Sequence, residues 1–186
     1  MLWRYRLKVL NIPNTLTIAR IVIIPIFITS IMYNQYLYAL ILFVIAALTD
    51  LLDGLFARLA NQKTPLGTFL DPLADKFLLV SSFIIFTVNA WIPKWFTVIV
   101  ISRDLIVVIG FFLLYMITNT IKIEPVFLGK LAIALQLFIL AYVLLNINIS
   151  TLPPVHDIFF IVSAALTAIS GLQYVFKGLK LTNAHQ

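Results

Sequence analysis

Six long apolar stretches separated by short polar breaks fill the chain. They run over Leu16–Tyr33, Gln35–Leu59, Thr68–Ala90, Lys94–Ile117, Val126–Leu145 and Asp157–Phe176. Each is close to the roughly 20 residues that a helix needs to cross hydrocarbon. The breaks carry turn residues: Asn34-Gln35, Asn61 to Pro65, Ile92-Pro93, Asn119 to Pro125 and Pro153-Pro154. This pattern predicts an all-α integral membrane protein of six transmembrane helices. No repeat, low-complexity tract or second soluble segment interrupts it, so residues 1–186 read as a single membrane domain.

Ahead of the first stretch lies MLWRYRLKVLNIPN. A cleaved signal would need an unbroken apolar core and a small-residue cleavage site. Asn11, Pro13 and Asn14 interrupt that core and no such site follows. Residues 1–14 are therefore expected to form a short juxtamembrane segment with an interfacial helix, its Arg4, Arg6 and Lys8 toward lipid headgroups.

Composition supports the membrane reading. Only 11% of the residues are charged and 62% are hydrophobic, whereas a soluble domain carries about 25% charged residues. Cysteine is absent, which excludes disulfides, thiol catalysis and thiolate metal sites. The net charge of +6 is scattered over ends and loops and forms no run suited to nucleic acid, so anionic lipid is the expected surface partner. With the N-terminus inside, Arg4, Arg6, Lys8, Lys63, Lys122, Lys177 and Lys180 fall on the cytoplasmic side and only Lys94 on the other. The positive-inside rule then puts both termini in the cytoplasm.

Against this apolar background, residues 50–75 stand out: DLLDGLFARLANQKTPLGTFLDPLAD. Four of the chain's seven acidic residues, Asp50, Asp53, Asp71 and Asp75, lie here with Arg58. A charge at membrane depth costs a few kcal/mol on insertion scales, so such residues mark function by default. Asp50 and Asp53 are three apart and Asp71 and Asp75 four apart, so each pair shares a helix face. Gly54 and Ala57 remove bulk beside them, and Gly67 opens the next helix. Oxygen-only ligands select hard cations such as Mg²⁺ or Mn²⁺. His156 and His185 are too distant in sequence to argue for zinc. Four carboxylates would balance two divalent ions, a set suited to phosphoryl transfer. Arg58 is suited to a bidentate phosphate contact. A purely structural salt-bridge network is the bland alternative. A metal or ion transporter is an alternative of another class, but one would spread its polar groups across the bilayer rather than gather them near one face.

The spacing D-x2-D-G-x2-A-R-x8-G-x3-D-x3-D, filled by Asp50, Asp53, Gly54, Ala57, Arg58, Gly67, Asp71 and Asp75, resembles the signature of the CDP-alcohol phosphatidyltransferase family. The likeness extends to the chain length, the six helices and the entry segment NIPNTLTIARIVIIP. It implies transfer of a phosphatidyl group from CDP-diacylglycerol to an alcohol with release of CMP. It also implies two divalent cations, Mg²⁺ or Mn²⁺, held by Asp50, Asp53, Asp71 and Asp75. Asp75 would be the catalytic base. Asp53, Gly54, Ala57, Arg58 and Gly67 would bind the CDP moiety, and the protein would be a homodimer.

NIPNTLT, TDLLDG, FLDPLADK and Gly129-Lys130 resemble the glycerol branch of the family, of the phosphatidylglycerophosphate synthase and cardiolipin synthase types. Glycerol 3-phosphate is the leading expectation for the acceptor, with phosphatidylglycerol as the alternative. Arg103 and Lys130 are the candidates for the acceptor's phosphate, and an Arg103–Asp104 pair is the structural alternative. Ser102-Arg103-Asp104, with no second arginine further along that helix, is closer to the cardiolipin synthase pattern.

Overall fold

A computed structural model describes residues 12–59, 65–118, 126–149 and 151–183, without the side chains of 50–59 and 65–75 and of a few residues near other helix ends. The described residues form six helices and no strand: α1 (Ile12–Met32), α2 (Tyr36–Leu59), α3 (Pro65–Val88), α4 (Lys94–Thr118), α5 (Phe127–Asn148) and α6 (Asp157–Asn183). Residues 1–11, which hold most of the expected interfacial helix, lie outside them.

Two boundaries differ from the sequence expectation by four residues or more. α1 starts at Ile12 and not Leu16, because proline is tolerated in a first helical turn, where its missing N–H would have no partner anyway. α6 continues past Phe176 to Asn183, since nothing in Lys177-Gly-Leu-Lys180 compels a helix to stop where its apolar stretch ends.

The chain divides into two compact units, with cuts after Phe86, Tyr142 and Pro153. In the first unit α1 packs along α2. The buried positions of α1 are Thr17, Arg20, Ile24, Phe27 and Ile31, and those of α2 are Ala39, Phe43 and Ala46. Both sets step by three and four residues, the spacing of a helix–helix seam. Phe27 and Phe43 meet across it with ring centroids 5.9 Å apart. The turn between the helices depends on Asn34, which takes a left-handed φ of 60°, a conformation asparagine reaches more readily than most residues. Its Oδ1 accepts from the Tyr36 hydroxyl at 2.6 Å. At the far end of α5, Asn148 Nδ2 donates to the Tyr36 carbonyl at 3.1 Å.

In the second unit α4 packs along α6. Phe96 and Phe160 form an aromatic contact at 5.3 Å, and Thr87 and Thr97 share a hydrogen bond of 2.6 Å. α5 and α6 are joined by a buried polar bond, Gln136 Nε2 to Thr167 Oγ1 at 2.8 Å.

The outward faces are apolar. Val22 and Ile26 of α1, Val98 and Leu105 of α4, and Ile161, Leu172 and Phe176 of α6 are all exposed. A surface of this kind suits a lipid environment, as in a membrane protein. Among the described residues, Phe127–Asn148 and Asp157–Leu179 are long and apolar enough by themselves to cross a bilayer, while Thr17–Met32, Tyr36–Thr49 and Lys76–Val88 are shorter apolar stretches.

Candidate active site

The residues of the acidic motif fall on two consecutive helices. Asp50, Asp53, Gly54, Ala57 and Arg58 lie in the C-terminal half of α2, and Gly67, Asp71 and Asp75 in the N-terminal half of α3. Their side chains lie outside the described residues, but the helical register is fixed on both sides of them. The buried steps of α2, 39–43–46, continue with the same three-four spacing to 50, 53 and 57. On α3, Phe86, Phe83 and Leu79 are buried, and four-residue steps back from Leu79 reach 75 and 71. All four aspartate positions therefore prolong stripes that are core-facing elsewhere on the same helices. A carboxylate that followed such a stripe toward the core would need compensation.

A second charge belongs to this unit. Arg20 of α1 is fully buried, at 0% exposure, and sits on the seam that faces α2. It lies 12 residues before the end of α1, and Asp50 lies 14 after the start of α2. At 1.5 Å of rise per residue, these antiparallel helices bring the two positions to within about 3 Å in depth. The sequence offers one signal for Arg20: its place in the 17–20–24–27–31 series. Among the described side chains there is no group of three or more acids or histidines that would hold a metal. The all-oxygen donor set Asp50, Asp53, Asp71 and Asp75 fits divalent magnesium or manganese in chemistry and charge.

Arg103 lies in the second unit, on α4. It is 8% exposed, and its Nη1 donates to Asp104 Oδ1 at 2.8 Å. The pairing that the sequence left as an alternative therefore forms. The guanidinium also lies over the ring of Tyr174 of α6, 5.5 Å from its centroid. Its Nε is buried without a hydrogen-bond partner. Lys130, on α5, is exposed. Sequence reasoning missed Tyr174, which is separated from Arg103 by two helix connections.

The chain matches the domain family described as CDP-alcohol phosphatidyltransferase over residues 10–169. It is 33% identical over 177 residues to a CDP-diacylglycerol–glycerol-3-phosphate 3-phosphatidyltransferase of Aquifex aeolicus, covering 92% of this chain and 98% of that protein. It is also 33% identical to the protein of the same name from Bacillus subtilis, covering 93% and 99%. A CMP-forming cardiolipin synthase of Rattus norvegicus is 34% identical, over 91% of this chain and 62% of that protein. The match spans α1 to α5, the motif helices among them, and the first half of α6, and on that extent the chain belongs to the CDP-alcohol phosphatidyltransferase family.

Proposed function

We propose that this protein transfers the phosphatidyl group of CDP-diacylglycerol to glycerol 3-phosphate and releases CMP. The observation that carries the reading is the unbroken eight-residue motif on α2 and α3, with all four aspartates on continuations of buried stripes. The relatives named for the glycerol 3-phosphate reaction match over nearly their whole length. Family membership favours transfer over transport.

In this reading Asp50, Asp53, Asp71 and Asp75 hold two divalent cations, in keeping with the general metal dependence of the family. When bound, the cations would neutralise the charge of the diphosphate and of the departing CMP oxygen. The chain's own groups do the rest. Asp53, Gly54, Ala57, Arg58 and Gly67 bind the CDP moiety, with Arg58 supplying charge-assisted bonds to phosphate. Asp75 accepts the proton of the acceptor hydroxyl as its oxygen bonds to the phosphatidyl phosphorus and the bond to CMP breaks. Arg103 and Lys130 hold the acceptor's phosphate. All six helices cross the bilayer, as one catalytic domain, with both termini and the motif helices' connection on the cytoplasmic side. The protein acts as a homodimer.

A second reading has a specific observation in its favour. The Arg103 charge is partly met by Asp104, which suits a phosphodiester with one negative charge, as in phosphatidylglycerol, better than a phosphomonoester. One experiment separates the two. Purified protein with CDP-diacylglycerol and Mg²⁺ or Mn²⁺ is assayed for CMP release with glycerol 3-phosphate, phosphatidylglycerol, serine or inositol. Release only with glycerol 3-phosphate supports the first reading, and release only with phosphatidylglycerol replaces it with the second. No release with any of them sinks both.

A further inference from the structure

Arg103 has a built seat. Two glycines bring the helices against it. A Cβ at Gly129 of α5 would stand 3.0 Å from Arg103 Nη2 and 3.4 Å from Tyr174 Cε2. A Cβ at Gly171 of α6 would stand 3.0 Å from Arg103 Cγ. One end of the side chain therefore lies on Gly171 and the other on Gly129. The Tyr174 ring forms the floor beneath the guanidinium. That ring is itself pinned, because the Val126 backbone N–H donates to its hydroxyl at 3.2 Å. Val126 immediately precedes α5 and its N–H is among those a helix start leaves without an internal partner.

A guanidinium carries five N–H donors. Asp104 takes one, through Nη1, and the buried Nε–H has no partner. A nine-tenths buried arginine with an unspent donor is prepared for an anion. What it lacks is a group that fixes the plane of its fork, since Asp104 touches only one end. The Tyr174 ring supplies that plane, because a guanidinium over an aromatic face is attracted to it.

We propose that Tyr174 is a positioning residue that orients Arg103 toward the anionic acceptor, with Gly129 and Gly171 as the seat that lets it do so. This rests on the reading that Arg103 binds the acceptor's phosphate. Tyr174 acts through Arg103 and does not itself touch substrate. The ring matters for this role, and the hydroxyl serves mainly to hold the ring.

The test compares Arg103→Ala, Tyr174→Leu, Tyr174→Phe and Gly129→Ala in the purified full-length enzyme. The KM for glycerol 3-phosphate, or for phosphatidylglycerol if that is the acceptor, is measured beside the KM for CDP-diacylglycerol. Arg103→Ala and Tyr174→Leu should each raise the acceptor KM roughly tenfold and leave the CDP-diacylglycerol KM unchanged. Tyr174→Phe keeps the ring and should restore most of that affinity. Gly129→Ala displaces Nη2 and should raise the acceptor KM as well. It also serves as the deciding variant if Tyr174→Leu does not fold. If Arg103→Ala raises the acceptor KM while Tyr174→Leu and Gly129→Ala do not, the positioning role is overturned and the acceptor reading stands. If Arg103→Ala leaves the acceptor KM unchanged, both fall together.

Discussion

The two units keep charge inside apolar helices by opposite means. In the second unit Arg103 has its counter-ion next door in Asp104, a glycine seat on two helices and an aromatic floor. Its charge is met in part by the chain's own Asp104. In the first unit α2 and α3 carry four aspartates against their own Arg58 and Lys76, and the aspartate positions prolong buried stripes. Arg20 of α1 adds one more buried cation. Carboxylates that followed such stripes would repel one another and be costly to desolvate. On the proposed reading the first would be completed by added cations, whereas the second holds a cation of its own, Arg103, that needs orienting.

Removing the cations should therefore have the largest effect. Activity is expected to vanish in EDTA and to return with Mg²⁺ or Mn²⁺, and Asp71→Asn should be inactive at any metal concentration while still folding, because Asn is nearly isosteric. Turnover in EDTA equal to that with Mg²⁺ would remove the metal site from the comparison. Next in size is Asp75→Asn. It should bind CDP-diacylglycerol within roughly tenfold of wild type yet turn over at least about 10²-fold more slowly, the scale of a lost general base. Near-normal turnover in a single-turnover assay would move the base elsewhere. Third, Arg58→Ala should raise the CDP-diacylglycerol KM by about tenfold and leave the acceptor KM alone, the mirror image of Arg103→Ala. Steady-state kinetics with each substrate varied in turn would expose any crossover between the two arginines. The smallest effect is expected from Thr167→Val, which deletes the bond to Gln136. Polar bonds between membrane helices average about 0.6 kcal/mol, so thermal unfolding in detergent should move by only a degree or two. A large drop would mean that this bond, and not the Arg103 seat, holds α5 to α6.

The helices were legible in the sequence because each is a long apolar stretch ended by turn residues, and Asn34 illustrates why: its left-handed φ is what the break requires. The start of α1 was obscured by Pro13 and Asn14, which read as a break but are compatible with a first helical turn. The aspartate motif was legible as spacing alone. That its positions follow the register of core-facing stripes needed the structure, since burial at Ala39, Phe43 and Ala46 sets that register. Tyr174 and Gly171 were not legible at all. They meet Arg103 from about 70 residues away in the sequence, and no local periodicity encodes that contact.

The polar bond between α5 and α6 has one more consequence. Ser163, Thr167 and Ser170 are all buried on α6, so hydroxyls recur about once per helical turn. Gln136 bonds to the middle one. If α6 slid along α5 by one turn, about 5.4 Å, the same amide would meet another hydroxyl and lose almost nothing. Hydrogen bonding is therefore blind to that displacement, much as evenly spaced rungs cannot tell a climber how high the ladder stands. The asymmetric fit of Arg103 between Gly129 and Gly171 is not blind to it, because a turn away on α6 stand residues with side chains. The guanidinium thus acts as an index pin that makes one alignment of the two helices distinguishable from its neighbours.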